Sequence, residues 1–152
     1  RSKTHFLSQL MSNINFFSEE TPFELKQEEA INLWLQNIAK AENTEIEEIS
    51  YIFCTDDYLL KINQEYLDHD YYTDIITFDN RDDINDPIES DIFVSIDRVT
   101  ENAIDQNVPF EVELKRVLAH GLLHLIGYND KTEDEQQLMR EKEEAYLSLQ
   151  IN

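Results

Sequence analysis

The sequence predicts an α+β domain: a small mixed β-sheet of about four strands covered by helices, with a helix carrying His120 and His124 packed on the sheet. Three observations lead there. Four short stretches (residues 14–17, 49–54, 73–78 and 91–96) are rich in β-branched and aromatic residues. Longer segments between and after them repeat apolar residues at helical spacing. The 152 residues, 41% of them hydrophobic, suffice for one ordinary core and one domain. The predicted order is β-α-β-α-β-β-α-α-α, and the histidine helix should cross the central part of the sheet.

Each element has its own signal. Residues 1–10 have no clear period; Met11 is the expected natural start, leaving 1–10 as an upstream extension and 11–152 as the domain. A short strand covers residues 14–17. Ala30, Ile31, Trp34, Leu35 and Ile38 define a helix over 27–41, with Trp34 on its core face. Residues 49–54 form a buried strand in which Cys54 is a small hydrophobe. Asp56 is the expected cap of a helix turning Tyr58, Leu59, Ile62 and Tyr66 inward. Residues 73–78 and 91–96 are strands, and the polar stretch 79–90, with Pro87, is a loop. Asp97 is expected to cap a short helix to about Gln106, and Pro109 to start the next. That helix carries Leu114, Val117, Leu118, Gly121, Leu122 and Leu125 at core spacing. Thr132 and Glu135 make a capping box for a last helix burying Leu138, Met139, Ala145, Tyr146 and Leu149.

Composition narrows the function. Acidic residues outnumber basic ones 33 to 12, for a formal charge of −21. A chain that binds nucleic acid through phosphates normally carries a basic footprint, so no DNA partner is expected and any RNA contact rests on a local patch or a metal. The apolar runs fall far short of the roughly 18 residues that span a bilayer. No signal-peptide pattern is read, and a single cysteine excludes an internal disulfide. The expected location is the cytoplasm.

The most informative stretch runs from Val117 to Asp130. His120 and His124 are i,i+4 neighbours on one helical face, the spacing with which helices hold a zinc ion. Gly127 can end that helix in a left-handed turn, bringing Asp130 back as a third ligand and leaving a coordination position open. The alternative, two histidines hydrogen-bonded in the core, would bury polar atoms that a metal satisfies. Zinc proteases share the spacing, but the position of their catalytic glutamate is Gly121, which removes the base. Glu135 is assigned to the helix cap.

The run 120–130, HGLLHLIGYND, resembles the H-G-x-L-H-L-x-G-Y-D-H signature of the YbeY family of metal-dependent endoribonucleases. Ile62-Asn63-Gln64-Glu65-Tyr66 resembles the family's L-N-x-x-Y-R segment, and Thr73-Asp74-Ile75-Ile76-Thr77-Phe78 its T-[DN]-V-L-S-F segment. Ser90-Asp91-Ile92 stands where the family has G-D-I, and Met139 with Glu143 or Glu144 matches the closing helix. The resemblance implies a single-strand-specific endoribonuclease of ribosomal RNA maturation and ribosome quality control. It also implies one divalent ion, zinc first, and ribosomal RNA and ribosomal proteins as partners.

Three departures stand out. Asp130 replaces the family's third histidine, Leu67 replaces the arginine after the tyrosine, and Ser90 replaces a glycine. His120, His124 and Asp130 are the expected metal ligands, no general base is assigned, and Arg98, Lys115 and Arg116 are candidates for phosphate contact, with His69 a partial substitute for the arginine. The lost arginine and the acidic charge also suit a non-catalytic ribosome-assembly factor with a structural metal. If Asp130 is a ligand, Asp130→Ala lowers the metal content measured by elemental analysis of purified protein; unchanged stoichiometry refutes the assignment.

Overall fold

A computed structural model describes residues 13–149. The expected extension at 1–10 lies outside the described residues. The elements are β1 (Ile14–Ser18), α1 (Glu28–Ala41), β2 (Ile46–Cys54), α2 (Asp56–Leu67), β3 (Ile75–Asp79), β4 (Ile88–Ser95), α3 (Ile96–Gln106), α4 (Phe110–Ile126) and α5 (Glu133–Ser148). The sheet order is β1-β2-β4-β3. β1, β2 and β4 run parallel, while β3 returns antiparallel along β4 as an edge strand. This is the mixed four-stranded α+β sheet expected from the pattern. No described helix is long and apolar enough to cross a membrane.

Alternation along the strands sorts the core into two layers. Ile49, Tyr51, Phe53, Ile92 and Val94 face α1, α4 and α5 in the main cluster. Cys54, Ile76, Phe78 and Phe93 face the opposite side, under Tyr58, Leu59 and Ile62 of α2. Trp34 is core, as its spacing indicated, and donates its indole N–H to the Tyr146 carbonyl at 2.9 Å. Burial pushes the Cys54 thiol up to about 12, so it is inert at neutral pH.

The histidine helix α4 lies at the centre of this packing. The Tyr51 hydroxyl, fully buried, donates to the Leu118 carbonyl at 2.9 Å. Gly121 lets the helix settle onto β3 and β4: a Cβ there would stand 2.9 Å from the Ile75 Cδ1 and 3.4 Å from Ile92.

Several local expectations are corrected. Thr55 caps α2 and Ser95 caps α3, each accepting from a backbone N–H three residues on. The hydroxyl comes from the residue just after β2 and from the last residue of β4, and Asp56 and Asp97 are drawn into cross-element contacts instead. Pro109 is the cap before α4 rather than its first residue. β3 and β4 extend to Asp79 and back to Ile88, because their pairing continues past the apolar run, so the loop is 80–87. Tyr66, Leu138 and Leu149 are exposed, as is Ala145; α5 instead turns Met139, Glu143, Tyr146 and Leu147 inward. The Thr132–Glu135 capping box is present.

One carboxylate ties the end of α1 to the elements after α4. Glu42 accepts from the Tyr128 hydroxyl at 2.8 Å, from Lys142 at 3.2 Å and from the Tyr146 hydroxyl. Burial raises its pKa, but these three donors outweigh burial and hold it below the usual 4.5. The sign follows: a depressed folded pKa adds stability above the unfolded value, and that stability is lost as pH falls through the folded value. Glu42→Gln should therefore cost about 1–3 kcal/mol at neutral pH. In urea unfolding, the gap to the parent should narrow as the pH drops below 4.5; a gap independent of pH would contradict this role.

Candidate metal site and cleft

The site grows from the end of α4. Gly127 takes φ 126°, a left-handed conformation that side chains resist, and its N–H closes the helix on Leu123 and His124 carbonyls at 3.2 and 3.1 Å. The reversal returns the Tyr128 carbonyl to within 3.2 Å of His124 Nδ1. It also brings Asp130 beside His120, with Oδ2 3.3 Å from Nε2.

The other nitrogen of His120 is claimed by α5. His120 Nδ1 lies 2.8 Å from Oε2 of Glu143, whose side chain is 7% exposed. Arg116 in turn binds Glu143 at 3.4 Å, Glu113 at 3.4 Å and Glu144 at 2.8 Å. Burial lowers the His120 pKa, but Glu143 first, then Asp130 and Asp74, raise it above its ordinary value. Asp74, just before β3, accepts from the Asn102 amide at 3.2 Å, and burial raises its carboxyl. A cleft of about 700 Å³ opens here, lined among others by Asp74, His120, Asp130, Arg140 and Glu143.

The family model for endoribonuclease YbeY matches residues 13–150. The chain belongs to the YbeY family. The Cytophaga hutchinsonii endoribonuclease YbeY is 57% identical over 136 residues, covering 90% of this chain and 94% of that protein. The Christiangramia forsetii endoribonuclease YbeY is 52% identical, covering 90% and 93%. A Thermotoga maritima protein solved in solution superposes with a TM-score of 0.62 at 28% identity, covering 89% of this chain and 87% of its own.

The donor set of this YbeY-family site fits a divalent ion in two respects. Both histidines offer Nδ1 to an oxygen acceptor, Glu143 or the Tyr128 carbonyl, which leaves Nε2 for a ligand, the arrangement that orients metal-binding imidazoles. Two donors about 2.0–2.1 Å from a tetrahedral zinc ion stand about 3.3–3.4 Å apart. The His120–Asp130 distance of 3.3 Å has that value. Among the described residues, no three His, Cys, Asp or Glu side chains stand together as a closed cage. His120 and Asp130 already stand together, and His124, exposed one turn later, would be the donor that turns in.

The three basic candidates are placed apart. Arg116 lines the cleft but is held by three carboxylates. Lys115 lines a different groove with Phe23 and Phe110. Arg98 sits where α2 and α3 begin, paired with Asp56 at 2.7 Å and Glu101 at 3.3 Å.

Sequence reasoning passed over Asp74, Arg81 and Arg140. Asp74 lies within the segment 73–78, whose strand pattern gives no sign that this residue lines the cleft. Arg81, whose side chain is 3% exposed, grips Asp79 and donates to the Leu125 carbonyl at 2.7 Å, complementing the negative end of α4. Arg140 lines the cleft and forms no ion pair among the described residues, and no local signal marks the face it takes.

Glu143→Gln keeps the shape but removes the charge behind His120. Zinc affinity, read by competition with a chromogenic chelator, should fall about 10–100-fold. Unaltered affinity would show that Glu143 does not position the imidazole.

Proposed function

We propose that this protein is a metal-dependent, single-strand-specific endoribonuclease of ribosomal RNA maturation and ribosome quality control. It works in the cytoplasm with one divalent ion, zinc, and with ribosomal RNA and ribosomal proteins as partners. The observation that carries the reading is the His120 imidazole, held between Glu143 and Asp130 on the wall of an open cleft. The names of the relatives supply the reaction class.

His120, His124 and Asp130 would hold the ion, which when bound supplies positive charge to a phosphoryl oxygen and acidifies water. The protein's own groups do the rest. Glu143 accepts a hydrogen bond from the Nδ1–H of His120 and keeps Nε2 on the cleft side, and Arg116 keeps Glu143 in place. Asp74, with its carboxyl raised by burial, lines the same cleft and is suited to accept the proton of an attacking water or 2′-hydroxyl. Arg140 is the cleft cation best able to meet a phosphate. Peptide hydrolysis is disfavoured because the base position is Gly121, pressed against Ile75.

One observation favours the assembly-factor reading: Arg116 is neutralised by three carboxylates in a chain of charge −21. A nuclease assay separates the two. Wild type loaded with zinc should cut an unpaired synthetic RNA and spare its duplex, while His124→Ala should lose about 100-fold or more of that rate, as expected when a metal ligand is removed. Activity in both proteins, or in neither, would speak against metal catalysis.

A further inference from the structure

The end of α2 and the segment joining it to β3 carry an uncommon surface. Tyr66, Leu67, Tyr71 and Tyr72 are 67%, 40%, 55% and 50% exposed, so four large apolar side chains within seven residues face solvent. His69 stacks on Tyr71 with ring centres 5.2 Å apart, and Tyr66 meets Phe78 of the edge strand β3 edge-on. Nothing in the site described so far uses them.

The segment is pinned. Asn63, 1% exposed, donates to the Tyr71 carbonyl at 2.9 Å and accepts the His69 N–H at 3.1 Å. The Tyr72 hydroxyl donates to Asp57 at 3.3 Å. The rings are therefore presented in a preset arrangement, which lowers the ordering cost of binding.

The segment also adjoins the cleft. Tyr72 is two residues before Asp74, which lines it. The Arg98 guanidinium lies 5.4 Å from the centre of the Tyr72 ring. One turn further along α3, Asn102 binds Asp74 and lines the cleft with it.

We propose that Tyr71 and Tyr72, backed by Tyr66, form a stacking platform for unpaired bases of an RNA strand whose phosphodiester enters the His120–Asp130 cleft; this rests on the nuclease reading above. The charge balance supports an uncharged mode of grip. With 33 acidic against 12 basic residues, the chain has little cationic surface with which to displace counterions from RNA. Stacking on aromatic rings does not depend on net charge, and it selects single strands because paired bases hide their faces. The platform gives single-strand preference a physical basis in this chain.

The test uses the full chain, a short fluorescent single-stranded RNA, and the Tyr71→Ala/Tyr72→Ala double variant. Binding is read by anisotropy at several salt concentrations in chelator, and cleavage kinetics with zinc restored. Binding should weaken about tenfold or more, with KM rising in step, kcat held within about twofold, and the salt slope unaltered because no charge is removed. Tyr71→Phe/Tyr72→Phe keeps the rings and should restore binding. Phe17→Ala, an exposed aromatic on the opposite edge strand, should leave it unaltered.

Normal binding and cleavage by the alanine variant overturn the platform and leave the nuclease reading standing. A wild type that neither binds nor cuts the RNA overturns both. Normal RNA binding with lost association to ribosomal proteins assigns the patch to a protein partner and overturns the proposal.

Discussion

The His120 imidazole joins three pieces of chain that are separate in sequence: the end of α4 that carries it, the loop bearing Asp130, and α5 with Glu143. Each of its nitrogens faces a carboxylate, and the cost of placing these charges in a partly closed site is offset by their mutual attraction. The surrounding structure serves this contact. Gly121 lets α4 approach β3 and β4, Gly127 reverses the chain, and Arg116 holds Glu143 from behind. Glu42 fastens Tyr128, at the root of the Asp130 loop, to α5 through Lys142 and Tyr146. The site is thus braced by buried polar contacts rather than by the apolar core alone.

Membership in the YbeY family places this arrangement among enzymes with a common scaffold, while the residues here give it a character of its own. Asp130 stands where the family signature ends in histidine, and Leu67 stands where the family segment ends in arginine. Cationic groups near the cleft are mostly engaged: Arg116 by three glutamates, Arg98 by Asp56 and Glu101. A phosphate-bearing ligand must therefore be met by a few local groups, among which Arg140 and any bound cation weigh most. Exposed tyrosines beside the cleft offer an uncharged complement.

Much of the fold was legible because its signals are local. Strand runs, helical periodicity, the Thr132–Glu135 capping box and the glycine stop at Gly127 are all decided within one or two turns of chain. Boundaries slipped by a few residues where pairing between strands extended them, as at Asp79 and Ile88. Caps slipped by one or two because the hydroxyls of Thr55 and Ser95 were as well placed as the carboxylates after them. The inward face of α5 was misjudged at Leu138 and Leu149, since a highly charged helix offers several weak apolar stripes and packing selects among them.

The sequence by itself determined the sheet class, through the local periods of its strands and helices, and the i,i+4 pairing of His120 and His124 with the turn that returns Asp130, which follow from backbone geometry over eleven residues. Only the tertiary structure decided that Glu143, 23 residues from His120, backs the imidazole, that Asp74 enters the cleft, and that Arg116 is spent on carboxylates. It also decided that Tyr66, expected on the inner side of its helix, stands in solvent. Such facts depend on how distant elements face one another, which is set by the summed packing of the whole core and has no signature in any local stretch.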